Sequence, residues 1–279
     1  MASAAALVLV ATPIGNLGDL SPRAASELAA ADLVCCEDTR RTGKLLELAE
    51  IGHRRLRRVD AHTEAEAIDD LIRRIQQGQR VVLVSDAGTP SVSDPGQRLV
   101  EAVADAGLTV TVVPGPTAAI AALTVSGLPT ARFVFEGFLP RKGRPRQEAL
   151  ERLAAEQRTV VIYESAKRLA ATLADLRSAC GDDRRAALAR ELTKLHEQVR
   201  RGSLAELCAA AAEGFKGEVV IVIEGAGPCE PADDSTVVGA LEQAIGGGLS
   251  HRDAAVEVAA ALGIRRRRAY ALALGIKPK

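Results

Sequence analysis

Glu37 and Asp38 are adjacent carboxylates at the end of an apolar run, Leu33-Val34-Cys35-Cys36, and Thr39-Arg40-Arg41 follows at once. Paired acids in such a place could take or hold a proton, and a neighbouring arginine could steady a developing anion. A plainer alternative is that Asp38 or Thr39 caps a helix over residues 42–49 and that Glu37 pairs with an arginine. A second stretch starts as Val81-Val82-Leu83-Val84 and then turns polar, with Asp86, Gly88, Thr89, Pro90, Ser91, Ser93, Asp94, Pro95 and Gly96. A buried strand running into a Gly/Pro-rich loop is where α/β sheets bind ligands, beyond the carboxyl ends of their strands. Here the plainer alternative is a strand-to-helix turn with Asp94 or Ser93 as N-cap. Two more apolar runs end similarly, Leu7 to Val10 in Thr12-Pro13-Ile14-Gly15-Asn16-Leu17-Gly18-Asp19, and Thr109 to Val113 in Pro114-Gly115-Pro116-Thr117-Ala118.

These loops offer backbone groups, Asp86, Thr89, Thr117 and the Glu37-Asp38 pair, and they lack several familiar chemistries. The glycines match neither G-x-G-x-x-G nor a Walker loop, so a phosphate cradle has weak support. Ser85-Asp86-Ala87-Gly88 is not a nucleophile elbow. Five cysteines with no C-x-x-C pair, and four scattered histidines, give no zinc spacing, and no metal is expected. His62 is a lone histidine ahead of a helix that begins near Glu64 and ends at Gly78.

The elements that must position the loops follow from pattern. Four apolar runs, starting at residues 7, 33, 81 and 109, alternate with helices, which predicts a mostly parallel, doubly wound α/β sheet with all four loops on one edge. A helix over 117–126 follows, then Phe133 to Pro140 and a basic loop, with a helix from Arg146 to Glu156. A second alternation of strands at 159–163, 185–190 and 218–224 with helices at 166–179 and 203–213 predicts a second α/β domain. The tail reads as helices at 237–245, 252–261 and 265–274, the second opened by a Ser250-to-Asp253 capping box. Helix, glycine-containing turn and basic helix form a helix-turn-helix-like pattern, which many small bundles share. The expected division is 1–117, 118–228 and a helical tail at 229–279.

Composition narrows the partners. Among 279 residues, 36 Lys+Arg balance 36 Asp+Glu, so no global field attracts a polyanion. Basic residues cluster locally at Arg54 to Arg58, at Arg141, Lys142, Arg144 and Arg146, and at Arg265 to Arg268. Four Phe, two Tyr and no Trp argue against a base-stacking platform. The cysteines read as reduced thiols, the first residues lack the basic region of a signal peptide, and no window has the length of a membrane span. A cytoplasmic protein is expected.

Several ordered motifs add a resemblance. Thr12 to Asp19, Glu37-Asp38-Thr39-Arg40, Ser85 to Pro90 and Pro114-Gly115-Pro116 resemble the tetrapyrrole methylase superfamily. Phe135 to Pro140, Ala189-Arg190-Glu191-Leu192-Thr193-Lys194 and Lys216-Gly217-Glu218 are similar to one branch of it, the ribosomal RNA small subunit methyltransferase I family. The resemblance implies a two-domain class III methyltransferase fold and S-adenosyl-L-methionine as cofactor. It implies 2′-O-methylation of a cytidine ribose in the decoding region of small-subunit ribosomal RNA. Carried over motif by motif, the cofactor would meet Pro13, Gly15, Asp86, Ala87, Gly88, Thr89, Thr117, Ala118, Tyr163, Glu164 and Ala189. Glu37, Asp38, Arg40 and Glu191 are the candidates for the acceptor side, with His62, Glu64, Arg190 and Lys194 also in reach of the argument and no base assignable among them. Arg141, Lys142, Arg144, Arg190, Lys194, Arg265 and Arg266 are the expected RNA contacts. Ribosomal RNA or the assembled 30S subunit would be the partner, with no membrane involved, and a homodimer is implied.

The chain departs from the family at Thr63, where the family usually has Asn, and at Ala166-Lys167, where it usually has Pro-His. The second departure removes one candidate histidine. Two rivals stay open: a methylase of a tetrapyrrole, and a ligand-sensing regulator that reads nucleic acid with its tail.

Overall fold

The structure is a computed structural model and describes residues 5–211, 214, 217–227 and 233–276. Lys216, Pro228 and Cys229, together with most of the expected linker, lie outside the described residues.

The first half alternates β1 (Ala6–Val10), α1 (Pro22–Ala30), β2 (Leu33–Cys36), α2 (Thr39–Leu48), β3 (Leu56–Arg58), α3 (Glu64–Gln76), β4 (Arg80–Leu83), α4 (Gln97–Asp105) and β5 (Val110–Val113). Its five strands lie in the order β3-β2-β4-β1-β5, and every pairing is parallel. Unbroken apolar runs suit this arrangement because both sheet faces are covered. Val8, Val34 and Val82 pack with Leu28 and Leu46 on one face, while Leu7, Cys35 and Leu83 pack with Leu71, Ile75, Leu99 and Val103 on the other. Each fully buried leucine contributes roughly 2 kcal/mol.

The sequence reading gave this sheet four strands. The fifth is β3, whose two arginines disguise it. Arg57 is bound by Asp70, Arg58 pairs with Asp60 at 2.6 Å, and Arg54 donates to the carbonyls of Leu28 and Ala29. That cluster therefore holds an edge strand and its surroundings together, and it is not a free basic patch.

The second half runs α5 (Ala118–Ser126), β6 (Phe133–Phe138), α6 (Arg144–Ala155), β7 (Thr159–Ser165), α7 (Ala166–Cys180), β8 (Arg185–Arg190), β9 (Gln198–Ser203), α8 (Leu204–Ala211) and β10 (Glu218–Ile223). The strand order is β6-β7-β10-β8-β9; only the β6–β7 pairing is parallel. β6 and β9 are absent from the sequence reading. Leu139, Leu153, Leu169, Leu173, Leu176 and Leu207 cover one face of this sheet. On the other, Ala119, Ala122 and Leu123 of α5 pack against Val161, Ala187, Ala189, Val220 and Val222.

Both sheets belong to one compact unit, Met1–Gly225; Ala226–Lys279 forms the other. Within the second unit, α9 (Asp234–Gly246), α10 (His251–Ala261) and α11 (Arg266–Ala273) pack around Val237, Leu241, Ala255, Val258 and Ala269. The Ser250 hydroxyl accepts from the Asp253 amide and caps α10. No helix among the described residues is long and apolar enough to cross a membrane.

Candidate active site

A cavity of about 350 Å³ opens at the carboxyl ends of the parallel strands. It is lined from the first half by Ile14, Glu37, Arg41, Asp86, Ala87, Gly88, Thr89, Val92, Ser93, Asp94, Thr117 and Ala118. The second half adds Phe138, Tyr163, Glu164, Ser165, Ala189, Leu192, Gly217, Glu218, Val219 and Val220. All four expected loops thus meet at one place.

Backbone hydrogen bonds fix the loops to each other. Thr12 and Gly88 exchange amide-to-carbonyl bonds of 2.9 and 3.1 Å, and the Thr12 hydroxyl donates to the Ser85 carbonyl at 3.3 Å. Gly88 has φ +82, and a Cβ there would lie 3.2 Å from Ile14 Cγ2 and 3.5 Å from the Pro116 carbonyl. Both the conformation and the space favour glycine. The Thr89 hydroxyl donates to Pro116 O at 3.1 Å, tying the β4 loop to the β5 loop.

Tyr163 ties β7 to the start of α5, just after the β5 loop. Thr117 forms no side-chain cap on α5, and the Tyr163 hydroxyl instead accepts from the Ala119 amide at 3.1 Å. Burial pushes the phenol up from its ordinary value. Phe135 and Phe138 hold its ring edge-on, with centroids 4.9 and 5.7 Å away.

The cavity has two chemically different sides. One consists of Ile14, Ala87, Gly88, Thr89, Thr117, Ala118, Ala189, Leu192 and Val220, and carries no charge. The other gathers Glu37, Asp86 and Asp94, with Arg41 at its edge. Asp86 accepts from the Asp38 amide at 3.2 Å and pairs with Arg41 at 3.3 Å. Burial pushes the Glu37 carboxyl up, with the charge of Asp86 adding to it; a hydrogen bond from the Asp86 amide and the charge of Arg41 oppose the shift. Asp94 is pushed up to about 7 by burial, then by the charges of Glu37 and Asp86, against a hydrogen bond with Ser85.

Asp94 entered the sequence reading only as a helix cap, with Ser93 as the alternative. The structure corrects this: the N-cap of α4 is Gly96, and the Glu64 carboxylate accepts from the amides of Gly96 at 3.1 Å and Leu99 at 3.0 Å. Glu64 is therefore a capping group from a neighbouring helix, not a group for the reaction. No local signal reveals it, because its partners lie more than thirty residues away.

The other candidates are placed as follows. Asp38 caps α2 through the Arg40 amide at 2.9 Å, and the Arg40 guanidinium grips both its oxygens, at 3.1 and 2.8 Å. That grip holds the Asp38 carboxyl well below the usual range. Neither Asp38 nor Arg40 lines the cavity. Pro13 and Gly15 are also outside its lining; a Cβ on Gly15 would strike the Lys194 side chain at 2.4 Å, so this glycine serves packing against residues 192–194. Glu191 accepts from the Glu218 amide and from Lys194 Nζ, both at 3.1 Å. Burial would raise its carboxyl, but those two donors outweigh it and hold it low. Lys194 also bonds Glu218 at 3.0 Å. Arg190 ends β8 next to Ala189. His62 is exposed, its amide held by Asp60 Oδ1.

Glu164 lines the cavity, but its carboxylate has no exposed surface. It accepts from Arg168 at 2.8 and 2.7 Å, the Thr172 hydroxyl at 2.7 Å and the Ser165 amide at 2.7 Å. Burial opposes its charge, and these donors hold the carboxyl below its ordinary value nonetheless.

Arg141 and Lys142 are exposed with no partner among the described residues, while Arg144 pairs with Glu148 at 2.7 Å. Arg146 belongs to the interior instead, bonded to Asp175, Thr172 and the Pro140 carbonyl. Arg265 and Arg266 are exposed at the start of α11, and Arg268 is bound to Asp234. Cys35 and Cys36 are buried thiols, the former pushed up to about 12 by desolvation. Among the described residues no group of three or more His, Cys, Asp or Glu could hold a metal ion.

A parallel α/β sheet feeding loops into a cavity completed by a mixed sheet is the architecture of one methylase class. A family model for Tetrapyrrole (Corrin/Porphyrin) Methylases matches residues 6–208. Uroporphyrin-III C-methyl transferase from Thermus thermophilus, solved with S-adenyl homocysteine, shares the fold: its TM-score is 0.56 at 21% identity, covering 78% of this chain and 96% of that one. Ribosomal RNA small subunit methyltransferase I of Mycobacterium tuberculosis (strain CDC 1551 / Oshkosh) is 48% identical over 271 residues, 96% of this chain and 94% of that protein. Its namesake in Synechocystis sp. (strain PCC 6803) is 46% identical over 97% of this chain and 98% of its own length. The chain belongs to the tetrapyrrole methylase family and, within it, to the ribosomal RNA small subunit methyltransferase I family.

Proposed function

We propose that the chain transfers a methyl group from S-adenosyl-L-methionine to the ribose 2′-oxygen of a cytidine in the decoding region of small-subunit ribosomal RNA. The observation that carries this reading is the two-sided cavity in a chain similar along its whole length to ribosomal RNA methyltransferases. The residues present fit the cofactor. Ala87, Gly88 and Ala118 leave room for close approach, and the Gly88 position would be filled by a Cβ. Ile14, Leu192 and Val220 offer an apolar surface for a purine, and no cluster of basic side chains lines the cavity to demand a phosphate. When bound, the cofactor supplies an electrophilic methyl on a good leaving group, so the protein's task is to position and to desolvate.

Ala87, Gly88, Thr89, Thr117, Ala118 and Ala189 form the cofactor side of this proposal, with Tyr163 setting the start of α5. Glu37 stands on the acceptor side. Arg141, Lys142, Arg144, Arg190, Lys194, Arg265 and Arg266 are proposed to meet RNA phosphates, which folded RNA presents alongside its exposed nucleotides. The substrate is ribosomal RNA or the assembled 30S subunit in the cytoplasm, and the working form is a homodimer.

The test is a map of 2′-O-methyl groups on ribosomal RNA from cells with and without the gene, repeated in vitro with purified protein. One cytidine in the decoding region should lose its methyl group and regain it. If no ribose position changes, and a tetrapyrrole is methylated instead, the reading is wrong.

A further inference from the structure

Nearly every acidic group in or near the cavity is already committed. Asp38 is gripped by Arg40, Glu191 by Lys194 and the Glu218 amide, Glu64 by two amides of α4, and Glu164 by Arg168, Thr172 and Ser165. Asp86 carries Arg41 and the Asp38 amide. Glu37 takes the Asp86 amide and faces Arg41. Asp94 has neither a cation nor an amide, and Ser85 is its one hydrogen-bonding neighbour among the described residues.

The chain also builds an unusual loop to bring Asp94 to the cavity. Ser91 and Ser93 sit at φ 69° and 64°, left-handed backbone that serines seldom adopt. Such backbone is strained and persists only where its surroundings enforce it. Glu64 holds the far end of the loop through Gly96 and Leu99. On the facing side β6 carries a bulge between Phe135 and Gly137; Gly137 has φ +64, and a Cβ there would lie 3.1 Å from Ser93 Oγ. The bulge lets the strand close over the loop beside Asp94.

We propose that Asp94 is the general base of the methyl transfer. The assignment rests on the reaction proposed above. In the step, Asp94 takes the proton of the ribose 2′-hydroxyl while the O2′–methyl bond forms. The methyl–sulfur bond breaks, its electron pair stays on sulfur, and Asp94 then passes the proton to water. The neutral side of the cavity holds the donor, and the acidic side receives the proton.

Groups facing Asp94 set where it titrates. Burial raises it most, Glu37 from the end of β2 and Asp86 from the β4 loop raise it further, Ser85 lowers it, Arg41 of α2 acts against the rise of Glu37, and Tyr163 of β7 is neutral at working pH. A base poised near neutrality combines availability with driving force. Activity requires the ionised form, so kcat/KM should fall as pH drops through about 7. The limb in kcat should lie lower, because a bound sulfonium cation favours the carboxylate.

The test uses the full-length protein and small-subunit RNA. Asp94→Asn should lower the single-turnover rate by about 100-fold or more and abolish the acidic limb. Calorimetric affinity for S-adenosylhomocysteine should stay within about threefold, as expected where a removed interaction is made only in the transition state. Asp94→Glu should restore part of the rate. A readout independent of turnover is carbon-13 NMR of the unliganded protein, in which one aspartate carboxyl should titrate near 7 and be missing from Asp94→Asn. If Asp94→Asn methylates at the wild-type rate with the limb intact, the assignment is wrong. If the variant fails to fold, an aspartate set titrating only near 4 in the wild type overturns it equally. Failure of the wild type to methylate any RNA would instead sink the proposed function and leave the NMR result standing.

Discussion

The two sides of the cavity differ in what holds them and in what they can do. The neutral side is built from backbone: the Thr12–Gly88 exchange, the Thr89–Pro116 bond and the Tyr163 cap on Ala119 fix it before any ligand arrives. The acidic side is built from side chains that repel each other: Arg41 offsets Glu37 and Asp86, and no cation among the described residues offsets Asp94. Rigid backbone suits recognition of a ligand that must be held closely. Buried, crowded carboxylates suit proton traffic, because desolvation, and after it like charges at short range, raise one of them towards neutral pH. On the proposed assignment, one cavity separates holding from chemistry by placing each on a different wall.

The largest expected effect breaks the neutral side. Gly88→Val forces a β-branched residue into φ +82 and against Ile14 and the Pro116 carbonyl. Calorimetry should show S-adenosylhomocysteine affinity falling by about 100-fold or more, roughly 3 kcal/mol of binding, while the circular dichroism spectrum stays that of an α/β protein. Next comes a carboxylate that lines the cavity and is already committed to its own neighbours. Glu164 is wholly buried with Arg168, Thr172 and Ser165, so Glu164→Ala leaves a guanidinium short of its partner. Chemical denaturation should show a loss of about 2 kcal/mol, below the full cost of an orphaned buried ion because Arg168 is partly exposed. An unchanged midpoint would mean that Glu164 acts in the cavity after all.

The neutral side was legible in the sequence because it follows from apolar runs ending in Gly/Pro loops, a pattern confined to neighbouring residues. β1, β4 and β5 announce themselves this way, and β2 by an apolar run that ends in Glu37-Asp38. The three strands that escaped notice, β3, β6 and β9, are all sheet edges. An edge strand has one neighbour and an open side, so Leu56-Arg57-Arg58 and Gln198-Val199-Arg200-Arg201 carry none of the apolar continuity of a central strand. The acidic side was half legible. Glu37 and Asp86 sit at strand ends, where carboxylates are conspicuous. Asp94 hides in a serine- and proline-rich turn whose aim depends on two left-handed serines, on Glu64 thirty residues earlier and on Gly137 forty residues later. No local pattern contains that information.

A smaller effect separates the walls by stability. The folded-state carboxyl of Asp94 lies near 7, against an ordinary value of 3.8. Between those values the folded protein keeps a proton that the unfolded chain has lost, so stability declines as pH rises from about 4 to 7 and then levels off. Ionised Asp94 therefore destabilises the fold at pH 8. Asp94→Asn should be more stable than wild type by about 1 kcal/mol at pH 8, after allowance for the solvent that screens a partly exposed group, and equal to it near pH 4. Removing a carboxylate from the acidic wall thus stabilises, where removing Glu164 does the reverse.

The smallest effect concerns the carboxylate just outside the cavity. Asp38 stands next to Glu37 in sequence, and that adjacency suggested a shared role. The structure turns them apart: Glu37 lines the cavity, while Asp38 faces solvent and is held by Arg40, whose side chain is 89% exposed. A solvent-screened pair of this kind contributes little, and its capping bond can be kept by an amide oxygen. Asp38→Asn should therefore leave cofactor affinity and single-turnover methylation within about twofold of wild type, since it removes a charge and keeps the cap. Glu37→Gln makes the sharper partner experiment. It removes the stronger of the two charges acting on Asp94, so the acidic limb of kcat/KM should move to lower pH. A limb that shifts with Glu37 but not with Asp38 would locate the acidic wall by function. A limb that moves with Asp38 would extend that wall outward to Arg40.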